Sequence, residues 1–119
     1  MNNLNINGVD LDLDVLDADT TERVDAAMDE VLRSAAEIPA DRSEADKIRL
    51  LCGVIRRCFD AVFGTGTAER ALGQKNNLGV CTDAFIELSR AVRAQRQAWE
   101  KRTAKAAAKF SGADTGAQP

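Results

Sequence analysis

A chain of 119 residues, 45% hydrophobic and 29% charged, has the makeup of one globular domain, neither disordered nor long enough to divide its core. It contains no His, which excludes Ser-His and Cys-His nucleophiles within one chain and removes imidazole as base, metal ligand or switch near neutral pH. The net charge of −3 hides a division: 13 acidic and 3 basic residues up to Asp46 give −10, while 6 acidic and 13 basic from Lys47 onward give +7. Such asymmetry points to halves that attract one another, to partners of opposite sign, or to self-association.

The chain opens on a hairpin signal. Asn7-Gly8 supplies the two positive φ angles of a type I′ turn, and apolar and polar residues alternate on both sides. A two-residue loop sets Ile6 opposite Val9 and Leu4 opposite Leu11, all on one face. Alternation through Leu13 and Val15 extends the hairpin over 4–16, with the second strand outrunning the first. Asp10, Asp12 and Asp14 then share the solvated face; as a calcium loop they lack the Gly at position six and the Glu at position twelve. A two-stranded ribbon is marginal alone, so its apolar face must cover helices or another chain.

Three main helices follow. Asp19 and Glu22 have the spacing of a capping box for a helix over about 20–38, whose Val24, Ala27, Met28, Val31, Leu32, Ala35 and Ile38 form a single stripe. Ser43 caps a second helix over 44–63, the most apolar element, with Ile48, Leu51, Cys52, Ile55, Cys58, Phe59, Val62 and Phe63 spaced by threes and fours. Gly64 stops it. Thr67 caps a short turn through Leu72 that Gly73 ends, and Asn77 caps the last helix, over 78–109. Leu78, Cys81, Phe85, Leu88 and Val92 give that helix its core stripe, which Trp99 continues. The small, polar stretch 111–119 is expected to be disordered. The predicted fold is therefore α+β: an N-terminal hairpin on a three-helix, mainly α core with a long C-terminal helix, one domain over 1–110.

No stretch carries a recognisable catalytic, cofactor or metal constellation. The corner Gly64, Gly66, Thr67, Gly73 and Asn77 is not a phosphate loop, since Lys75 is not followed by Ser or Thr, and Gly64-x-Gly66 follows a helix and lacks the third glycine of a dinucleotide fingerprint. It reads as a structural corner. Cys52, Cys58 and Cys81 lie on apolar helix faces without C-x-x-C spacing and read as small hydrophobes in a reducing compartment. Neither a secretion signal nor a run of apolar residues long enough for a membrane span is present. The basic residues Arg90 to Lys109 are interrupted only by Trp99 and Phe110 among aromatics, and no helix-turn-helix spacing precedes them, so nucleic acid is a weaker expectation than a solvated helix face or a docking surface for acidic protein. Arg93, Arg96 and Trp99 are the candidate interaction residues there, an arginine-flanked Trp being a common interface anchor. Leu4, Ile6, Val9 and Leu11 are the candidates on the hairpin.

Two segments, Cys58-Phe59-Asp60-Ala61-Val62-Phe63-Gly64-Thr65-Gly66-Thr67 and Lys75-Asn76-Asn77-Leu78-Gly79-Val80-Cys81-Thr82-Asp83-Ala84-Phe85, resemble a family of small proteins encoded in the tail-gene clusters of prophages from Gram-positive bacteria. The likeness covers about Leu4 to Val92. It implies a non-enzymatic tail assembly chaperone in the bacterial host cytoplasm, coating the tape-measure protein and recruiting tail-tube subunits, with no catalytic residues carried over. The hairpin's apolar face and the opposed charges of the two halves add the expectation of homo-oligomers, and the residues themselves that of no cofactor and no membrane span. The alternatives are a minor tail protein that stays in the virion and a small nucleic-acid-binding regulator using the basic helix.

Overall fold

The computed structural model describes residues 3–117, and the side chains of 3–110. It is α+β, with strands β1 (Asn3–Ile6) and β2 (Val9–Asp12) followed by helices α1 (Ala18–Ala36), α2 (Glu44–Phe63), α3 (Thr67–Leu72) and α4 (Leu78–Ala117). The hairpin pairs Leu4 with Leu11 and Ile6 with Val9, around a turn in which Asn7 (φ 52°) and Gly8 (φ 85°) both take positive φ. The strands are equal in length. Beyond Asp12 the chain stays buried at Leu13 and Val15 without strand pairing, because its polar groups find a different partner. The amide of Gln95 on α4 donates to the Leu13 carbonyl at 2.7 Å and accepts from the Val15 N–H at 3.0 Å.

Leu4, Ile6, Leu11, Leu13 and Val15 close one side of a core whose other walls are Val24, Ala27 and Val31 from α1, Cys52, Ile55, Cys58, Phe59 and Val62 from α2, and Cys81, Ala84, Leu88 and Val92 from α4. The hairpin lies along α4, fastened at its far end by Gln95 and at its turn by Asn7, whose side-chain amide donates to the Ala71 carbonyl of α3 at 2.9 Å.

Helix ends follow local chemistry. Ser43 Oγ accepts from the Asp46 N–H and Asn77 Oδ1 from the Val80 N–H, each satisfying an amide that has no partner inside its helix. The cap of α1 is Asp17, not Asp19: its carboxylate accepts from both the N–H and the hydroxyl of Thr20. A turn closed from Asp17 N–H to Asp14 O delivers the chain to that point two residues early. Thr67 is not a cap either. Gly66, in left-handed conformation, holds the cap position of α3 and has no side chain to offer. Asp60 of α2 supplies the acceptor instead, taking the Ala68 N–H at 2.9 Å, while the buried Thr67 hydroxyl donates to the Gly64 carbonyl at 2.7 Å.

The long last helix runs further than its sequence suggests, reaching Ala117 where an unstructured stretch is expected from 111; no proline breaks its ladder over that span. Gln118 and Pro119 lie outside the described residues. At about 1.5 Å per residue, α4 is about 60 Å long. The chain accordingly extends 71 × 30 × 22 Å, and its radius of gyration is 18.9 Å, against about 13 to 14 Å for a compact chain of this length.

Candidate functional site

The surface of interest is made where α4 outruns the core it helps to build. At about 100° per residue, Leu88, Val92, Gln95, Trp99, Thr103, Ala106 and Phe110 fall within about 80° of one another around the helix. The first two are buried and Gln95 holds the loop after β2. From Trp99 onward the same stripe is in solvent: Trp99 is 46% exposed and Phe110 74%. Every described residue from Gln97 to Phe110 is exposed. We call this stretch the arm.

Charge borders the stripe. Arg102, Lys105 and Lys109 run along one flank, and the Arg102 guanidinium carbon stands 5.5 Å from the centre of the Trp99 ring, where cation and π-face attract. Glu100 is the one acid between Gln97 and Phe110.

Arg96 fixes the point at which the arm leaves, donating to Thr21 Oγ1 at 2.7 Å and Asp25 Oδ1 at 2.8 Å on α1. Beside that pin, α1 and α4 leave a groove floored by Met28, Leu32, Phe85 and Val92 and rimmed by Arg93, Arg96 and Glu100. Leu32 is 62% exposed in it, although the periodicity of α1 places it on the core stripe.

The hairpin half of the expected interaction surface is corrected. Leu4, Ile6 and Leu11 are buried against the chain's own helices and Val9 is half-buried, so that apolar face is spent on the core. Arg93 and Arg96 rim the groove at the root of the arm, while Trp99 lies apart from it on the exposed stripe. Phe110 and the groove residues Met28, Leu32 and Phe85 were not singled out by sequence; the signal for Phe110 was its place on the stripe, eleven residues after Trp99.

Gly64 (φ 113°), Gly66 (φ 92°) and Gly73 (φ 76°) all take positive φ at the corner. Three of its backbone donors are engaged within the corner: Thr67 N–H bonds Gly64 O, Arg70 N–H bonds Gly66 O, and Ala68 N–H bonds Asp60. The Arg56 guanidinium donates to the Gly73 and Lys75 carbonyls across the same bend. Asp60 and Glu69 line its surface beside the engaged Arg56, and two carboxylates there disfavour a phosphate.

Cys52, Cys58 and Cys81 are buried free thiols. Burial, helped by the nearby Glu30 charge, pushes the Cys58 thiol up to about 12. Burial and then the neighbouring Cys81 push Cys52 up to about 11. Thiols so held are neutral and poor nucleophiles at ordinary pH. Among the described residues, no group of three or more His, Cys, Asp or Glu could hold a metal ion, and no helix is long and apolar enough to cross a membrane.

Fold and surface together define a small α+β protein: a two-stranded hairpin on a mainly helical head, with a last helix that projects from it. Residues 7–115 match the family of unknown function DUF6673, and the chain belongs to that family. No curated protein matches the chain, and no solved structure does.

Proposed function

We propose that this protein is a non-enzymatic assembly chaperone of a phage tail, acting in the host cytoplasm by binding tape-measure and tail-tube proteins. The observation that carries the docking role is the exposed stripe of the arm, an apolar seam continuous with the core, flanked by cations and exposed from Trp99 to Phe110 among the described residues. A helix with one apolar stripe is suited to lie along another helix. The tail-specific part of the reading is supported by the resemblance of residues 58–67 and 75–85 to proteins of prophage tail-gene clusters.

The test is co-expression of the full chain with tape-measure and tail-tube proteins, joined to mass spectrometry of purified particles. Expected are a complex with at least one of them, weakened about tenfold by Trp99→Asp, and absence of the chain from finished particles. Stable retention in the particle would make it a structural tail component instead. No complex with either protein, combined with retardation of duplex DNA that fades with salt, would replace the reading with a nucleic-acid role.

A further inference from the structure

We infer that two copies of the chain pair through α4, antiparallel about a two-fold axis, each arm lying across the root of the other. The stripe needs a cover: of its two large aromatics, Trp99 is 46% exposed with Arg102 over its ring, and Phe110 is 74% exposed. Two arms alone are a poor match. Each carries Lys101, Arg102, Lys105 and Lys109 against the single Glu100, so arms laid together over their own length would repel.

The complement is at the root of the same arm. Gln95 and Arg96 hold α4 against the segment from Leu13 to Asp25. That segment carries Asp14, Asp17, Asp19 and Glu22, with Arg23 the one cation between Leu13 and Asp25. Asp17, Asp19 and Glu22 are exposed and Asp14 partly so. Exposed Leu16 (52%) lies among them.

An antiparallel overlap of α4 with α4 brings the cationic flank of each arm to the acidic root of the other, twice. The arm from Gln97 to Phe110 is about 20 Å long, enough to reach past the crossing point onto the partner's α1 N-terminus. Because the same patch serves on both copies, association closes at two and does not propagate. The pairing uses the same stripe as the tail-assembly reading but is tested on the purified chain alone: a chain that binds no tail protein can still form the dimer.

The experiment is sedimentation equilibrium of the full chain from micromolar to about 100 µM at low and high salt, with emission of its single Trp recorded on the same samples. Expected is a monomer–dimer equilibrium, weaker at high salt, with Trp99 emission moving to shorter wavelength on association. Trp99→Asp, and separately Lys105→Glu with Lys109→Glu, should each raise the dissociation constant about tenfold or more while helical content is unchanged. The double arm variant should regain affinity for a chain bearing Asp19→Lys and Glu22→Lys. A monomer at about 100 µM and low salt, a dimer indifferent to Trp99→Asp, open assemblies that grow with concentration, or charge-swapped chains that fail to pair would each overturn the inference.

Discussion

At the scale of single residues, Gly64 and Gly53 show how one substitution carries opposite signs. Gly64 sits at φ 113° and ψ 154°, a region nearly closed to residues with a Cβ. A Cβ built there would meet nothing within 4 Å, so the penalty is one of backbone conformation and not of crowding. Gly64→Ala should lose about 1–3 kcal/mol in urea unfolding. Gly53 lies in the interior of α2, where an added Cβ meets only the Arg57 guanidinium at 3.8 Å. Gly53→Ala should gain about 0.5–1 kcal/mol by the same measurement. Asp17 adds a pH dependence. The Thr20 N–H, then the Thr20 hydroxyl, hold its carboxyl below the ordinary 3.8. A pKa lowered by folding contributes stability that is full above the unfolded value and lost as pH falls through the folded one. Asp17→Ala should therefore lower the melting temperature at neutral pH, and the gap from the parent chain should close as pH drops below about 3.8.

At the scale of elements, the polar joint between the loop after β2 and α4 rests on one side chain. Gln95 satisfies an N–H and a C=O of residues that are themselves buried, Val15 and Leu13. Gln95→Leu keeps the bulk and strands both groups, at about 1–3 kcal/mol for each group left unpaired. A loss of about 2–6 kcal/mol in chemical denaturation, with the Val15 amide losing hydrogen-exchange protection ahead of those of the hairpin, is the expected outcome. This joint also marks the limit of what the sequence discloses. The turn Asn7-Gly8, the register around it, and the caps Ser43 and Asn77 are legible because each acts within a few residues. Gln95 and Leu13 are separated by 82 positions, and no local pattern says that the alternation through Leu13 and Val15 serves a tethered loop and not a strand. Asp60 reaching over to the start of α3 is hidden for the same reason. Asp17 and Asp19 are both competent caps, and only the turn from Asp14 decides between them.

At the scale of the whole molecule, one helix does two jobs in succession: α4 completes the core as far as Val92, then carries the same stripe into solvent. The stripe was visible in the sequence as far as Trp99. The place where the core ends was not, because it depends on how far α1, α2 and the hairpin reach along α4, and so Phe110 was not joined to the stripe. Conversely, the apolar face of Leu4, Ile6 and Leu11 had to cover helices or another chain, and nothing local decides between the two. The division of charge takes a spatial form as well, with acids around the hairpin exit and α1 and cations along the arm. Hydrogen exchange followed along α4 in the full chain tests this division of labour most directly. In dilute solution, amides from Cys81 to Arg96 should exchange only as the head unfolds, and those from Glu100 to Phe110 should exchange orders of magnitude faster, as expected of a helix without tertiary cover. Raising the concentration should slow the second group and leave the first unchanged. Equal protection along the whole helix in dilute solution, or an arm that never gains protection, would contradict the account.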